Sequence, residues 1–534
     1  PVLAGSDLYS NTVVKRVFET LYDYDYFATG YPLIPLLADG LPQVDEDNLV
    51  YTFTIKKGVY YYDPRHEVFE DKQREAKAED FVYSILRLSD LSQKGKGYWL
   101  LDGFIEGLDQ WREDSTEGGN YEQLPSGLKV LDDYRFQVKL TKPYPQLLYF
   151  FAMNYSAPLP KEVYEQYGLT GLTNRAIGTG AYYLDPNQTI DDNRYVYLVN
   201  PTYRNRYVDS ENAPEDLKGK KLPLNGGINV RLIEESAPAW LAFQQGELDI
   251  YSPGKDQFDQ AVVNNQLTPE LEAKGVSLMI SARASLTYNF FNYEDLTWGP
   301  LMRDPDKGPK IRKAIQLALD YETISEVQYN NRASAANSPI PPTFTGFEDL
   351  VSRYNAYDPE KAKQLLAEAG FPEGEGLPQL KYDAASSSKA SRDLYELFQR
   401  YMSDIGIQTA FIVNDWPTFA SKLDTGDFQY AGLGWNADYP DPQNFLQLLY
   451  GPNSSNYARY RSAEFNELYE KSLTMQPSPE RTELYKQMVA IADEDHPWIY
   501  GVNRQVYAMT HKRLRNYHYN QFANNIAQYL QIFE

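Results

Sequence analysis

The chain contains no cysteine, which excludes disulfides, thiolate metal sites and cysteine nucleophiles. Histidine is nearly as scarce. His66, His496, His511 and His518 are the only four among 534 residues. None stands at ligand spacing from another, so each is expected as a surface or helix-capping residue rather than a metal ligand. Neither G-x-S-x-G nor H-E-x-x-H occurs, so a nucleophile elbow and a zinc-protease helix are both missing. No stretch approaches the run of about eighteen apolar residues that crosses a bilayer. Positive charge is short as well: 51 basic against 74 acidic residues give a formal net charge of −23. A nucleic-acid partner would need a basic stripe, so that class of function is excluded.

What is present argues for a large globular protein. A hydrophobic fraction of 42% and an aromatic fraction of 14% rule out wholesale disorder. A chain of this length outgrows one core and divides into two or three domains. The 46 tyrosines and 7 tryptophans are mostly core fillers by type, with a subset suited to walling a cleft. The start, PVLAGSDLYS, has no initiator Met and no signal peptide. It is expected to be a processed or trimmed end once preceded by an export signal.

Local patterns supply the elements. NLVYTFTIKKGVYYYD (48–63) alternates Leu49, Tyr51, Phe53 and Ile55, then turns at Lys57-Gly58, which predicts a hairpin. AKAEDFVYSILRLSD (76–90) spaces Phe81, Ile85 and Leu88 as a helix, and RFQVKLTKP (135–143) is a strand stopped by Pro143. INVRLI (228–233), APAWLAFQQG (237–246) and ELDIYS predict strand, helix and strand, hence a parallel pair joined by a crossover. Further on, Ile311, Ile315 and Leu319 form one apolar stripe within 310–327. YDPEKAKQLLAEAGF (357–371) has Asp358 as N-cap, Pro359 at the first helical position and Gly370 at the end. A helix ending before Gly406 leads into a strand at 407–413, and two more helices open with Ser462 and Ser478. The polar stretches around 205–227 and 333–346 are the expected linkers.

Few short motifs carry chemistry. GTGAY (178–182) lacks the helix and the Lys-Ser or Lys-Thr of a phosphate loop, and is expected as a turn. DPDKG (304–308) opens like a calcium loop, but Ile315 occupies the twelfth position. It too is expected as a solvated turn. With 74 acidic residues, no single carboxylate pair points to glycoside hydrolysis. One stretch stands apart: GWNADYPDPQNF (434–445) follows FQYAG, which has the composition of a buried strand. By itself its Asn, Asp and Pro content describes a rigid turn.

Taken in order, several stretches resemble the peptide-type extracellular solute-binding proteins of bacterial ABC transporters, the oligopeptide, dipeptide and nickel binders. They are VFETLYDYD, LVYTFTIKKGVYYYD with KAEDFVYSILR, IGTGAYYL with VNPTYRN, LAFQQGELDI, RKAIQLALDYETI, SPIPP, PEKAKQLLAEAGF and GWNADYPDPQNF. The resemblance covers essentially the whole chain and is specific through the order of its parts. It implies an α/β, two-lobed periplasmic-binding-protein fold (type II) with an extra accessory domain and a ligand cleft between the lobes. Lobe I would be 1–44, 175–282 and 500–534, the accessory domain 45–174, and lobe II 283–499. In the family a first strand ends in a Pro that Pro1 would match.

The implied function is non-enzymatic. The protein would be a monomer without cofactor, periplasmic or lipid-anchored outside the cytoplasmic membrane, binding peptides and passing them to a membrane permease. In oligopeptide and dipeptide binders the Asp of the Gly-Trp-x-x-Asp stretch accepts the ligand's α-ammonium, and Asp438 matches it. Trp435 and Tyr439 would enclose that carboxylate and strengthen a charge-assisted hydrogen bond. Gly432, Gly434 and Asn436 would lie along the ligand backbone, with Trp416 as a nearby aromatic. From the other lobe, Ala4, Gly5, Ser6 and Asp7 would touch the peptide, and Trp99 matches a cleft aromatic. Gly432 stands where some oligopeptide binders place a basic residue for the ligand's carboxylate. Lys389, Arg392 and Lys422 are the substitutes. Asp438 argues for an amine-bearing ligand over a nickel complex; a carbohydrate or other non-peptide solute on the same fold is the alternative.

Overall fold

The computed structural model describes residues 8–533 apart from 70–72, 94, 96, 172–174, 188–193 and 387, and only the backbone of 8–11, 169–171 and 389. By internal contacts the chain forms two compact units, Pro1–Asp249 with Thr510–Glu534, and Ile250–Met509. Segments 250–282 and 500–509 group with the second unit by these contacts. Pairing explains it: the Val502–His511 strand lies between Ile250–Tyr251 and Val276–Ala282 and also pairs with Ala333–Ala335.

The first unit is built on small antiparallel sheets. One has the order Gln43–Val44, Val50–Thr54, Arg135–Lys139, Leu128–Asp132. The alternation in 48–55 points Tyr51, Phe53 and Ile55 inward as expected. The predicted hairpin does not form. Val50–Thr54 pairs with Arg135–Lys139, while Tyr60–Tyr62 pairs with Gln73–Glu75. Alternation fixes which face is apolar but not the partner. Here the partner is chosen by an aromatic stack, Phe53 on Phe136 at 5.1 Å and Phe81 on Phe136 at 5.7 Å. Phe81 comes from the helix Ala78–Ser89, which buries it with Ile85 and Leu88. The expected parallel crossover is also absent. Gly227–Arg231 pairs antiparallel with Arg194–Val199, and Ile250–Tyr251 belongs to the sheet containing Val502–His511. The helix between them, Ser236–Gln244, forms as expected and is followed by Gly246 at φ 78°.

GTGAY is a turn whose glycines serve close packing. A Cβ on Gly178 would lie 2.2 Å from the Val17 carbonyl oxygen, and the Gly180 N–H donates to that oxygen at 2.8 Å.

The second unit centres on a mixed five-stranded sheet ordered Thr409–Val413, Leu380–Ala384, Tyr430–Asn436, Ser285–Phe291, Trp498–Tyr500. The first three run parallel and the last two antiparallel to their neighbours. Its helices obey the local signals. Asp358, Ser462 and Ser478 accept from the N–H groups of Lys361, Phe465 and Arg481. Gly370 and Gly406 take the left-handed conformation after their helices, at φ 92° and 84°. The stretch 310–327 forms two helices, Gly308–Ala318, which carries the stripe, and Tyr321–Tyr329, because Asp320 caps the second through the N–H groups of Glu322 and Thr323.

His496 is a capping residue, left-handed at φ 50° after the helix Pro479–Asp495, and it is wholly buried. Burial, then the cations Arg312 and Lys313, push its imidazole from 6.5 down to about 3. It is therefore neutral when folded, whereas the unfolded chain protonates it below its ordinary value. Its contribution is present above about pH 6.5 and is lost as pH falls toward 3, at about 1.4 kcal/mol per pH unit. Urea unfolding at pH 7 and pH 5 should show this loss, and His496→Asn, which tolerates the left-handed backbone, should flatten it.

Candidate functional site

The strand Tyr430–Asn436 lies beside Ser285–Phe291 with Gly432 opposite Asn289, Gly434 opposite Thr287 and Asn436 opposite Ser285. Above this face is a cavity of about 360 Å³ wholly within the second unit. Gly432, Leu433, Gly434 and Trp416 line it, with Tyr321, Tyr329, Tyr382, Tyr395 and Phe398 from neighbouring helices and strands. Trp416 opens the helix Trp416–Thr425 and is 60% exposed. A largely exposed indole lining the cavity is available for contact area.

The two glycines differ in role. A Cβ on Gly432 would fall 2.2 Å from Asn289 Oδ1 and 2.6 Å from the Tyr382 hydroxyl, whereas one on Gly434 would meet nothing nearer than 3.6 Å. Gly432 is thus demanded by the protein's own packing, a different reason from the ligand approach expected for it. Gly432→Ala should destabilise by about 1–3 kcal/mol, with Gly434→Ala near zero in the same denaturant titration.

Asp438, Trp435 and Asn436 are not among the residues lining the cavity. They cluster at the exit of the strand. Asp438 is half-buried and Asn436 exposed. The fully buried Asn444 ties the group together. Its Oδ1 accepts from Trp435 Nε1 at 2.8 Å and from the Asp438 N–H at 3.1 Å, and its Nδ2 donates to Asp438 Oδ2 at 3.2 Å. Asn444 orients the carboxylate, and nothing in the sequence pointed to it beyond membership of the same stretch. The second acid of the stretch has another task. Asp441, 4% exposed, receives Arg481 Nη1 at 2.8 Å, the Tyr485 hydroxyl at 3.0 Å and the Gln443 N–H at 2.9 Å. Tyr439, expected to enclose Asp438, is instead fully buried and donates its hydroxyl to Gln443.

Of the expected carboxylate receivers, Lys422 is engaged by the buried Asp383 at 2.6 Å, which also accepts from Asn414 at 3.1 Å. It is a structural ion pair. Arg392 is exposed in the first turn of Lys389–Asp404, and the Lys389 side chain lies outside the described residues. So do Ala4, Gly5, Ser6 and Asp7. Trp99 sits half-buried in the short helix Tyr98–Leu100 of the first unit. DPDKG is a turn with Asp304 accepting from the Asp306 N–H at 3.0 Å. Among the described residues no group of three or more acids or histidines is placed to hold a metal ion, and no helix is long and apolar enough to cross a membrane.

The site is an aromatic-walled cavity on a glycine-bearing strand, with a braced carboxylate just past the end of that strand in the chain. The chain belongs to the bacterial extracellular solute-binding proteins, family 5, whose model matches residues 32–457. It is 25% identical to heme-binding protein A of Haemophilus influenzae over 522 residues, covering 96% of this chain and 86% of the relative. It is also 25% identical to the dipeptide-binding protein of Escherichia coli over 494 residues, covering 91% and 83%. The solved structure of the ABC transporter-associated periplasmic binding protein DppA from Helicobacter pylori, in complex with peptide STSA, superposes with a TM-score of 0.78 at 22% identity, covering 100% and 95%. That likeness establishes the type II periplasmic-binding-protein fold.

Proposed function

We propose that this protein captures peptides outside the cytoplasmic membrane for an ABC importer, seating the ligand's amino terminus on Asp438 and handing it to a membrane permease. The observation that carries the reading is Asp438 itself, half-buried and held by Asn444 just past a strand whose Gly434 is exposed and lines the cavity. Extended peptides offer main-chain donors and acceptors that suit such a strand face irrespective of side chain. A fixed carboxylate then sets the register. The names of relatives that bind dipeptides support the same class. Contributions from residues 4–7 and from Trp99 rest on the resemblance alone.

A non-peptide solute is the competing reading, favoured by the relative named heme-binding protein A. The test is to denature the purified protein and identify released small molecules by mass spectrometry. Peptides with free amino termini are expected; release of heme or a sugar in their place would overturn the proposal.

A further inference from the structure

A second cavity, of about 630 Å³, lies wholly within the second unit and shares no lining residue with the one over Gly432 and Gly434. Its wall carries Arg303, Arg312, Arg459 and Arg461 against three carboxylates, Glu294, Asp304 and Asp495. In a chain of formal net charge −23 that is a local reversal of sign. Three of the guanidiniums are seated on main-chain carbonyls. Arg303 donates to the Tyr293 carbonyl. The buried Arg312 donates Nε to the His496 carbonyl at 2.8 Å and Nη1 to that of Met302 at 3.0 Å. Arg459 donates Nη1 to the Tyr457 carbonyl at 2.9 Å and Nη2 to that of Leu423 at 3.1 Å. Glycines clear the room for each. A Cβ on Gly299, Gly308 or Gly426 would stand 3.0, 2.7 or 3.0 Å from a guanidinium nitrogen of Arg303, Arg312 or Arg459. A carbonyl fixes the direction of a guanidinium and leaves its formal charge uncancelled.

The carboxylates are engaged elsewhere. Glu294 pairs with Arg461 at 2.9 Å and with Arg459 at 3.5 Å. Asp495 accepts the Tyr460 hydroxyl, and Asp304 accepts the Asp306 N–H at 3.0 Å beside Lys307 at 3.7 Å. Among the described residues neither Arg303 nor Arg312 forms an ion pair. Burial lowers the pKa of Arg312 against the opposing pull of Tyr293, Asp495 and Tyr460, so that cation is under-compensated. Between the charges the wall is apolar: Met302, Pro305 and Pro309, with the rings of Tyr293 and Tyr460 at 5.9 Å from each other.

We infer that this cavity is a second ligand site that takes a small organic phosphate, its phosphoryl group on Arg303 and Arg461 within the field of the buried Arg312, and its apolar body on the prolines and tyrosines. Forked N–H donors match phosphate oxygens two at a time, and a phosphoryl dianion engages more than one guanidinium where a single carboxylate is satisfied by one. The volume of about 630 Å³ falls within the roughly 300–1,000 Å³ of whole-ligand pockets. That is far more room than a free phosphate needs, so the anion comes attached to an organic body. The site is separate from the one proposed for peptides and stands without it.

The test is calorimetry on the full chain with phenyl phosphate, inorganic phosphate and benzoate. Wild type should bind phenyl phosphate about 10-fold more tightly than inorganic phosphate, and more tightly than benzoate by a similar factor. Arg303→Gln and Arg461→Gln should each weaken phenyl phosphate binding by about 10- to 100-fold. Both side chains are exposed, so the melting temperature should stay within about 2 °C of wild type. Glu294→Gln frees Arg461 from its ion pair and should tighten binding by about 2- to 5-fold. Opposite signs at paired exposed positions are what a charge-reading site gives and a general loosening of the wall does not. No binding of phenyl phosphate by wild type, or full-strength binding by both arginine variants, overturns the site. Inorganic phosphate or benzoate binding as tightly as phenyl phosphate overturns the ligand class. Asp438→Ala should leave phenyl phosphate binding unchanged; a loss there would put the probe at the peptide site and overturn the inference.

Discussion

Replacing Asp438 by Ala should weaken binding of a free-amine peptide by roughly 30-fold to several thousand-fold, the equivalent of about 2–5 kcal/mol for truncating one partner of a hydrogen-bonded charge pair. The size of the effect follows from the setting. Asn444 already satisfies one side of the carboxylate and fixes its direction, so little orientational freedom remains to be lost when an ammonium docks. Removing the carboxylate leaves the ammonium desolvated without a partner, which costs more than the hydrogen bond was worth. N-acetylating the peptide should impose a comparable loss on wild type and almost none on Asp438→Ala, because each change removes the same contact. Asp438→Asn keeps an acceptor for Asn444 and should still lose most of the affinity, which separates charge from loop geometry. Calorimetry showing full-strength binding by both variants would remove Asp438 from the site.

The second large effect concerns stability. Asp441→Ala should destabilise the second unit by about 3–5 kcal/mol, since it strands the buried guanidinium of Arg481. Arg481 and Asp441 are 3% and 4% exposed, and the pair is completed by Tyr485 and by the Ser472 carbonyl, which accepts from Arg481 Nε at 3.2 Å. At roughly 2–4 °C per kcal/mol for a unit of this size, the melting temperature should drop by about 6–20 °C. The double variant Asp441→Asn with Arg481→Met removes both charges and should recover much of the loss. Asp441 also anchors the turn that follows Asp438, through the Gln443 and Asn444 N–H groups. Weakened peptide binding should therefore accompany the lower melting temperature. A melting temperature within 2 °C of wild type would show that the pair is not needed for folding.

How far the sequence could be followed depended on the range of the interactions. Helix limits at Asp358, Ser462, Ser478, Gly370 and Gly406 are decided by groups three or four residues apart, and they were legible. Strand faces were legible too, because the side of a strand that is buried repeats every second residue. Strand partners were not. Val50–Thr54 and Arg135–Lys139 are separated by more of the chain than any turn signal spans, and only the packing of Phe53, Phe81 and Phe136 brings them together. The parallel crossover failed for the same reason: a strand–helix–strand order does not say into which sheet the second strand goes.

Composition by itself excluded cysteine chemistry, and the order of short segments along the chain, from VFETLYDYD to GWNADYPDPQNF, was enough to determine the family and the position worth testing, Asp438. The tertiary structure alone decided which acid of that stretch is fully buried in an ion pair and which is half-buried, that Asn444 braces the half-buried one, and that Lys422 is already paired with Asp383. It also assembled the cavity, whose walls come from stretches around 287, 319–329, 382–398, 416, 432 and 504. A side chain's neighbours across such distances are set by packing, and packing is written in no single stretch of the chain.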